Sequence, residues 1–541
     1  MRQWLGLRRV LWLLAFSVPT PSVYATDHVS GLRGQVVTVD GQGLAGVFVT
    51  ARHPTSGIET TVYTNAAGLF EFPLLPVAEV ALTAHHTRYA PALAKVDLIA
   101  PPAKLELRLA PAQDPMRHAS TAAWFAPIPD DDRKREFILN CASCHEFAAN
   151  RIFKDGQLRD HARWVEGIKL MKALDAYAVI PPDFDTERYA GWLAVQLAPE
   201  LVAQRTPQPT ANSALAGEQV IITEYPLPVP SELPHDLVLG PDWRVWVTAF
   251  WSSQMWAMDP ATGKFETYEV NNDPKTIAQV RALEFDRLGR LWIVNGGTSS
   301  VVRLDPKSRE FATFKVGMYP HDLVIDSRGD IWVNDYFAKQ ERVARVAATD
   351  GKVTVFPLPS ANLPPSAGVP LSYGLQIDAE DRLWSTQLAA NTLARYDIKS
   401  GAAKLHMMPD ANVGPRRNAI GLDGKVWIPE FNTGRLTSFD PVTETFATFD
   451  TGNSAAGVYD VAVDPRSGDV WLAAALASEL IRFDVRTHKF THYPLPTEPA
   501  YMRHLAIDPR TGDVWSAYSS LPTAVPKIVR LQRGAPNPVS E

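Results

Sequence analysis

The chain has 541 residues, of which 46% are hydrophobic, 10% aromatic and 21% charged; it is too long for one ordinary core and too apolar for a disordered chain, so two to four domains are expected. Fifty-three basic against fifty-nine acidic side chains leave a net charge of −6 with no strongly basic arm, which speaks against nucleic acid as a partner. Two cysteines exclude a disulfide-rich scaffold and a multi-cysteine metal cluster, while 44 prolines and 15 tryptophans favour short strands and turns over a helical bundle.

Residues 1–25 read as an export signal. Arg2, Arg8 and Arg9 precede a short apolar run from Val10 to Val18, and Val23-Tyr24-Ala25 offers a small-x-small cleavage site. The run is half of what a bilayer crossing needs, and no later segment is long and apolar enough to span. The expectation is a soluble protein outside the cytoplasm, in the periplasm, with no membrane span after cleavage.

Residues 27–112 alternate apolar and polar positions between glycine turns, as in Gly34-Gln-Val-Val-Thr-Val and Gly46-Val-Phe-Val-Thr, which predicts a small antiparallel β-sandwich. The order Thr64-Asn-Ala-Ala-Gly-Leu-Phe70 resembles the carboxypeptidase regulatory-like domain, with Asn where that family usually has Asp. No catalytic constellation is visible in it. His85 and His86 are adjacent on a strand and so point to opposite faces, a poor metal site. Residues 111–130, rich in Pro, Ala and Asp, read as a linker.

Residues 130–200 change to helical spacing, in Asp132–Leu139, Asp160–Leu174 and Thr186–Leu197. Within them lies Cys141-Ala-Ser-Cys144-His145, the C-x-x-C-H attachment signature of a c-type haem. Two thiols at this spacing add across the haem vinyl groups, and the next residue presents imidazole to iron. A thioredoxin-like redox pair would sit in a βαβ context instead. For the sixth ligand the candidates are Met171 and His161. Trp164 to Met171 resembles the W-x-x-x-x-x-x-M helix of short cytochrome c domains, and Tyr189-x-x-Trp-Leu193 their closing helix. That resemblance spans some 70 residues and implies one covalent haem c with His145 and Met171 on the iron.

Residues 217–535 repeat. A tryptophan recurs in one context, Arg-Val-Trp246-Val, Arg-Leu-Trp292-Ile, Asp-Ile-Trp332-Val, Arg-Leu-Trp384-Ser, Lys-Val-Trp427-Ile, Asp-Val-Trp471-Leu and Asp-Val-Trp515-Ser. Four short strands per unit and seven units predict a seven-bladed β-propeller. The last unit lacks its fourth strand, and Ile221-Ile-Thr-Glu-Tyr-Pro-Leu-Pro228 copies it, so an N-terminal strand is expected to complete the last blade. The overall expectation is a mainly β multidomain protein: N-terminal sandwich, small helical haem domain, C-terminal propeller.

The repeat around Tyr319-Pro-His-Asp-Leu-Val-Ile-Asp-Ser-Arg-Gly-Asp-Ile-Trp-Val-Asn-Asp335 resembles the virginiamycin B (streptogramin) lyase family. That resemblance implies a catalytic histidine and a glutamate fourteen residues later, with Mg²⁺. Here the pair is His321 and Asp335, with Asp for Glu, and the family's further metal glutamate is replaced by Tyr319; the departure argues against Mg²⁺ and eliminating lyase chemistry.

Propeller geometry places the residue eleven before each tryptophan, and the one three after it, at the rim of one funnel. The first position reads His235, Arg281, His321 and Tyr373 and, with short gaps, Arg417, Tyr459 and Arg503; the second includes Asn295, Asp335, Gln387, Glu430 and Tyr518. Three arginines in such a funnel favour a small anionic ligand; the alternative is that these are only solvated loop ends. The function expected is an exported c-type cytochrome serving a periplasmic electron-transfer partner and oxidising a small anionic substrate. The rivals are a streptogramin lyase-like carbon–oxygen lyase and a non-catalytic binding scaffold. The quinoprotein tryptophan-docking repeat and its Cys-Cys pair are not found, and the rim has too few histidines for a multi-copper site.

Overall fold

A computed structural model describes residues 31–534, except 74, 76–78, 101–103, 175–179, 182, 208–217, 272–274, 362, 364–367 and 521–523; the expected export signal lies outside the described residues. The architecture is mainly β, with an N-terminal β domain, a short helical segment and propeller-like sheets of four strands.

Six four-stranded antiparallel sheets follow one another along the chain. Their innermost strands are Pro234–Leu239, Val280–Phe285, Pro320–Ile325, Ser372–Ile377, Ala419–Ile420 and Val458–Val463. A further group begins on Tyr501–Ile507 and continues through Val514–Ser520 and Ala524–Arg533 to Val220–Pro226. Each innermost strand packs on the next, and Tyr501–Ile507 packs back on Pro234–Leu239.

The recurring tryptophans are buried in the second strands. In three of the seven the turn before the tryptophan explains the motif. Asp326 accepts hydrogen bonds from the Arg328 and Asp330 amides at 3.0 and 2.9 Å and from Trp332 Nε1 at 3.0 Å. Asp286 and Asp378 serve Trp292 and Trp384 in the same way, at 2.9 and 2.8 Å. In these three one carboxylate closes the turn and satisfies the indole, whereas Nε1 of Trp246, Trp471 and Trp515 has no acceptor among the described residues. Asp326→Ala leaves a buried N–H without an acceptor and is expected to cost about 1–3 kcal/mol, read as a lowered thermal unfolding midpoint; an unchanged midpoint would remove this account of the repeat.

Val220–Pro226 pairs with Ala524–Arg533, Glu224 opposite Val529, as the copied strand motif led us to expect. Its other edge is not left open. Glu59–Tyr63 of the N-terminal domain pairs there, Ile222 opposite Thr61, so one eight-stranded sheet runs from the last four-strand group into Phe48–Arg52, Glu79–His86 and Tyr89–Asp97. An unpaired edge strand is a template for unwanted pairing, and Lys527 locks this seam by bonding Glu59 at 2.6 Å and Glu224 at 3.0 Å. A second sheet of Leu69–Glu71, Arg33–Thr38 and Glu106–Leu109 covers the domain's core.

The three longest helices among the described residues, Asp132–Cys141, His161–Ala173 and Thr186–Gln196, frame the helical segment. Each starts on an aspartate whose carboxylate accepts an amide of the first turn: Asp131 from Lys134, Asp160 from Arg163 and Asp185 from Arg188, at 2.9–3.0 Å. The stretch expected to be a linker is part of this unit. Trp124 and Phe125 are buried, Trp124 edge-on to Phe153 and Phe125 stacked on Phe137. The segment sits on the propeller-like sheets, and one apolar cluster holds Phe137, Trp164 and Leu193 together with Tyr336, Phe431 and Tyr501. Ala122 N–H donates to the Leu476 carbonyl at 2.7 Å, and Lys134 Nζ to Ser454 Oγ at 3.0 Å. Among the described residues no helix is long and apolar enough to cross a membrane.

Candidate functional site

The innermost strands carry a shared irregularity. Between Pro234 and Leu237 two residues oppose one on the neighbouring strand, and the same shift follows Val280, Pro320 and Ser372. A bulge re-aims side chains off the ladder. The first bulged residue lines the mouth; the second, at Asp236 and Asp322, meets Arg417 one layer deeper.

The mouth layer is His235, Arg281, His321, Tyr373, Arg416, Tyr459 and Arg503, all lining one cavity of about 740 Å³. In the fifth sheet the residue at the mouth is Arg416, where Arg417 was expected. The bridge between Pro415 and Glu430 fixes the register and assigns Arg417 to the deeper layer.

That deeper layer is an ion network. Arg417 Nη2 donates to both Asp236 oxygens at 2.7 and 2.9 Å, while its Nη1 lies 3.6 Å from Asp322 and its Nε 4.0 Å from Asp460. His504 Nε2 is 4.0 Å from Asp236. Burial alone would raise Asp236, but Arg417, His504 and His235 outweigh it and hold the carboxyl well below its usual range. Burial pushes Asp322 up to about 6 and raises Asp460. Gly374 takes the remaining space, because a Cβ there would come within 2.7 Å of Arg417 Cα. The sequence signal for this layer was the residue after each rim position, Asp236, Asp322, Asp460 and His504.

The second series of predicted rim residues does not reach the cavity. Asp335 accepts from Arg342 Nε at 2.7 Å and from the Tyr319 amide at 3.3 Å. Glu430 is fully buried and accepts from Thr433, Arg435 and Thr437 at 2.6–2.8 Å. Gln387 accepts from Thr392 at 2.6 Å, and Asn295 from the Thr298 amide at 3.1 Å. These side chains staple the turn between second and third strands, and it is the residue after this position in the repeat, as at Phe250 and Tyr336, that lines the cavity. The expected facing pair of His321 and Asp335 is therefore not formed. His321 Nδ1 donates instead to the Tyr373 carbonyl at 3.0 Å, and its ring stacks on Tyr336.

The helical segment closes the cavity from above. Cys141, Cys144, His145 and Met171 line the same space as His235 and Arg281. The propeller-side residues grip the C-x-x-C-H backbone: Arg416 Nη2 donates to the Ser143 carbonyl at 2.7 Å, Arg503 Nη2 to the Cys144 carbonyl at 2.7 Å, and the Tyr501 hydroxyl to the Ala142 carbonyl at 2.9 Å. Arg416 also lies 3.6 Å over the Tyr459 ring and donates to the Tyr373 hydroxyl at 2.9 Å. The rim arginines were expected to wait for a ligand; two of the three at the mouth are engaged by the loop.

The residues present fit a c-type haem. Both cysteines are free thiols and line the cavity, Cys144 the more exposed of the two. His145 Nδ1 donates to the Glu146 carbonyl at 2.9 Å, leaving Nε2 with its lone pair. Burial lowers this imidazole to about 4, so the neutral, ligating form prevails at neutral pH. Trp164 Nε1 is buried with no acceptor and lines the cavity beside Arg151 and Arg159, donors suited to an acidic prosthetic group. His161, the rival sixth ligand, is half exposed and pairs with Glu187 at 3.3 Å, away from the cavity. Among the described residues no cluster of three or more His, Cys, Asp or Glu is gathered for a metal ion.

Radial four-stranded sheets around a polar mouth define a propeller-like protein with a helical segment over its funnel. The virginiamycin B lyase family model matches residues 220–524, more than half of the chain, and the chain belongs to that family. Residues 31–110 match the carboxypeptidase regulatory-like domain. Among solved structures, a streptogramin B lyase superposes with a TM-score of 0.51 at 20% identity, over 58% of this chain and 98% of that one. The virginiamycin B lyase of Staphylococcus aureus gives 0.51 at 19% identity, over 58% and 99%, and a catalytically inactive form of it with quinupristin gives the same values. At these identities the likeness is one of fold. No curated protein sequence matches the chain.

Proposed function

We propose that this chain is an exported, periplasmic c-type cytochrome whose haem lies between the helical segment and the mouth of a closed seven-bladed propeller, passing electrons to a partner protein while the mouth binds a small anionic substrate. The observation that carries the reading is the single cavity lined by Cys141, Cys144, His145 and Met171 on one side and by His235, His321 and Arg281 on the other. Cys141 and Cys144 would hold the haem covalently, with His145 and Met171 on its iron. The haem would supply one-electron chemistry next to whatever the mouth binds. The chain's own residues orient the attachment loop through Arg416, Arg503 and Tyr501 and wall the cavity with aromatic rings. The seven-bladed reading rests on six four-stranded sheets, the four-strand group that Val220–Pro226 completes, and the contact of the last innermost strand with the first.

The lyase reading draws on family membership. It lacks support at the site, because Asp335 is committed to Arg342 and Tyr319 stands where the family's further metal glutamate is expected.

A direct test is a reduced-minus-oxidised spectrum of the purified protein and the mass of the denatured chain. Haem absorption with the added mass of one haem is the expected result; an unmodified chain would sink the redox reading. The sixth ligand has its own test. Met171→Ala is expected to remove the weak near-infrared band of sulfur–iron ligation and to lower the reduction potential, since thioether ligation favours ferrous iron. His161→Ala is expected to change neither. The reverse pattern would reassign the ligand.

A further inference from the structure

Two residues that line the shared cavity, one on each side, carry buried donors without a partner among the described residues. Trp164 Nε1 belongs to the helical side. Arg281 belongs to the propeller side, and only 5% of it is exposed. Its Nε and Nη1 have no hydrogen-bond acceptor among the described residues. The guanidinium is instead surrounded by the rings of Phe250, Tyr319 and Tyr336, at 4.9, 4.8 and 5.5 Å. Aromatic faces offset part of the cost of burying a cation, but a buried charge without a counter-charge remains unfavourable. The arrangement calls for an anion.

The two imidazoles beside Arg281 narrow the choice. His235 Nδ1 lies 2.5 Å from Asp236 Oδ1, and His321 Nδ1 lies 3.0 Å from the Tyr373 carbonyl oxygen. Asp236 is ionised and a carbonyl only accepts, so both rings carry their proton on Nδ1. Each Nε2 therefore presents a lone pair. The rings are 6.0 Å apart and nearly perpendicular, and both line the cavity with Arg281. Burial lowers His235 to about 3 and holds His321 well below its usual value, which keeps both neutral. The wall thus offers one unpaired cation and two acceptors. A simple carboxylate satisfies the cation alone; a neutral alcohol satisfies the acceptors alone.

We infer that the propeller wall of the cavity is a binding site for a small 2-hydroxycarboxylate, its carboxylate on the Arg281 guanidinium and its hydroxyl donating to Nε2 of His235 or His321. This deepens the reading that the mouth binds a small anion, and it does not depend on the haem. Trp251, 46% exposed, belongs to the same lining and marks a side on which the cavity meets solvent.

Isothermal titration calorimetry of the full-length, haem-loaded protein with lactate and with propionate tests the site. Lactate is expected to bind about tenfold more tightly, a difference of about 1.4 kcal/mol, because propionate leaves an imidazole acceptor without a donor. Arg281→Gln is expected to abolish the binding of both. His321→Phe is expected to narrow the gap between the two ligands. Equal affinities in the unaltered protein, or lactate binding that survives Arg281→Gln, overturns the inference. Haem content measured on the same samples separates the two readings: lactate recognition in haem-free protein leaves this site standing and sinks only the redox reading.

Discussion

Arg417→Met is expected to destabilise the propeller by about 3–5 kcal/mol, the usual result of stranding buried charge by removing its partner. Arg417 is the cation shared by Asp236, Asp322 and Asp460, all of them buried. Methionine of similar length keeps the packing and removes only the charge. The pH dependence tests the cause. In the unaltered protein Asp236 is held below its unfolded value, so its stabilisation is present above about pH 4 and is lost as pH falls through the folded value. Asp322, pushed up to about 6, has the opposite sign: its ionised form costs stability above that pH, and protonation relieves the cost. Without Arg417 all three carboxyls move towards the second behaviour. Thermal unfolding of the variant should recover part of the loss between pH 8 and pH 5. A loss that is the same at both pH values would show that packing, not charge, is what Arg417 supplies.

Replacing Cys141 and Cys144 together by alanine is expected to remove covalent haem completely, and each single replacement to leave at most one thioether. The contacts that dock the loop do not use the thiols. Arg416, Arg503 and Tyr501 bind the carbonyls of Ser143, Cys144 and Ala142, which the double variant retains. Haem mass should therefore vanish from the denatured chain while the unfolding midpoint of the propeller moves little. Haem that stays bound through denaturation in the double variant would place the attachment elsewhere. A propeller that unfolds along with the loss would show that the loop's docking depends on the filled cavity.

Much of the architecture was legible because local physics dictates it. Part of the tryptophan repeat is visible since an aspartate six residues earlier, at Asp286, Asp326 and Asp378, closes a turn and satisfies an indole at once. The joining of Val220–Pro226 to the last sheet was legible from a copied strand motif. The rim was half legible. Counting eleven back from the tryptophan found His235, Arg281, His321 and Tyr373, where the bulge recurs at that offset, and an allowance of one residue found Tyr459 and Arg503. It missed in the fifth sheet because a gap was allowed where the chain has none: Arg416 keeps the offset of eleven before Trp427, and Arg417 falls one residue deeper. The pairing of His321 with Asp335 failed for a different reason: spacing cannot tell a side chain aimed at the axis from one that staples its own sheet. The seating of the helical segment on the mouth is a contact between distant parts of the chain, carried by Arg416, Arg503 and Tyr501, and no local pattern announces it.

The sheet that joins Glu59–Tyr63 to Val220–Pro226 and onward to Ala524–Arg533 has a consequence for timing. Its middle strand waits for a partner that is synthesised some three hundred residues later, Glu224 for Val529. Pairings of such separation form late and slowly. Cys141 to His145 are made early, whereas Arg416, Tyr501 and Arg503, which clasp that loop, come from the last third of the chain. The two thiols therefore stand open while the chain is incomplete and come to line the cavity once their loop is clasped. Any chemistry on them has a window that closes with folding, and the order of residues along the chain sets its length.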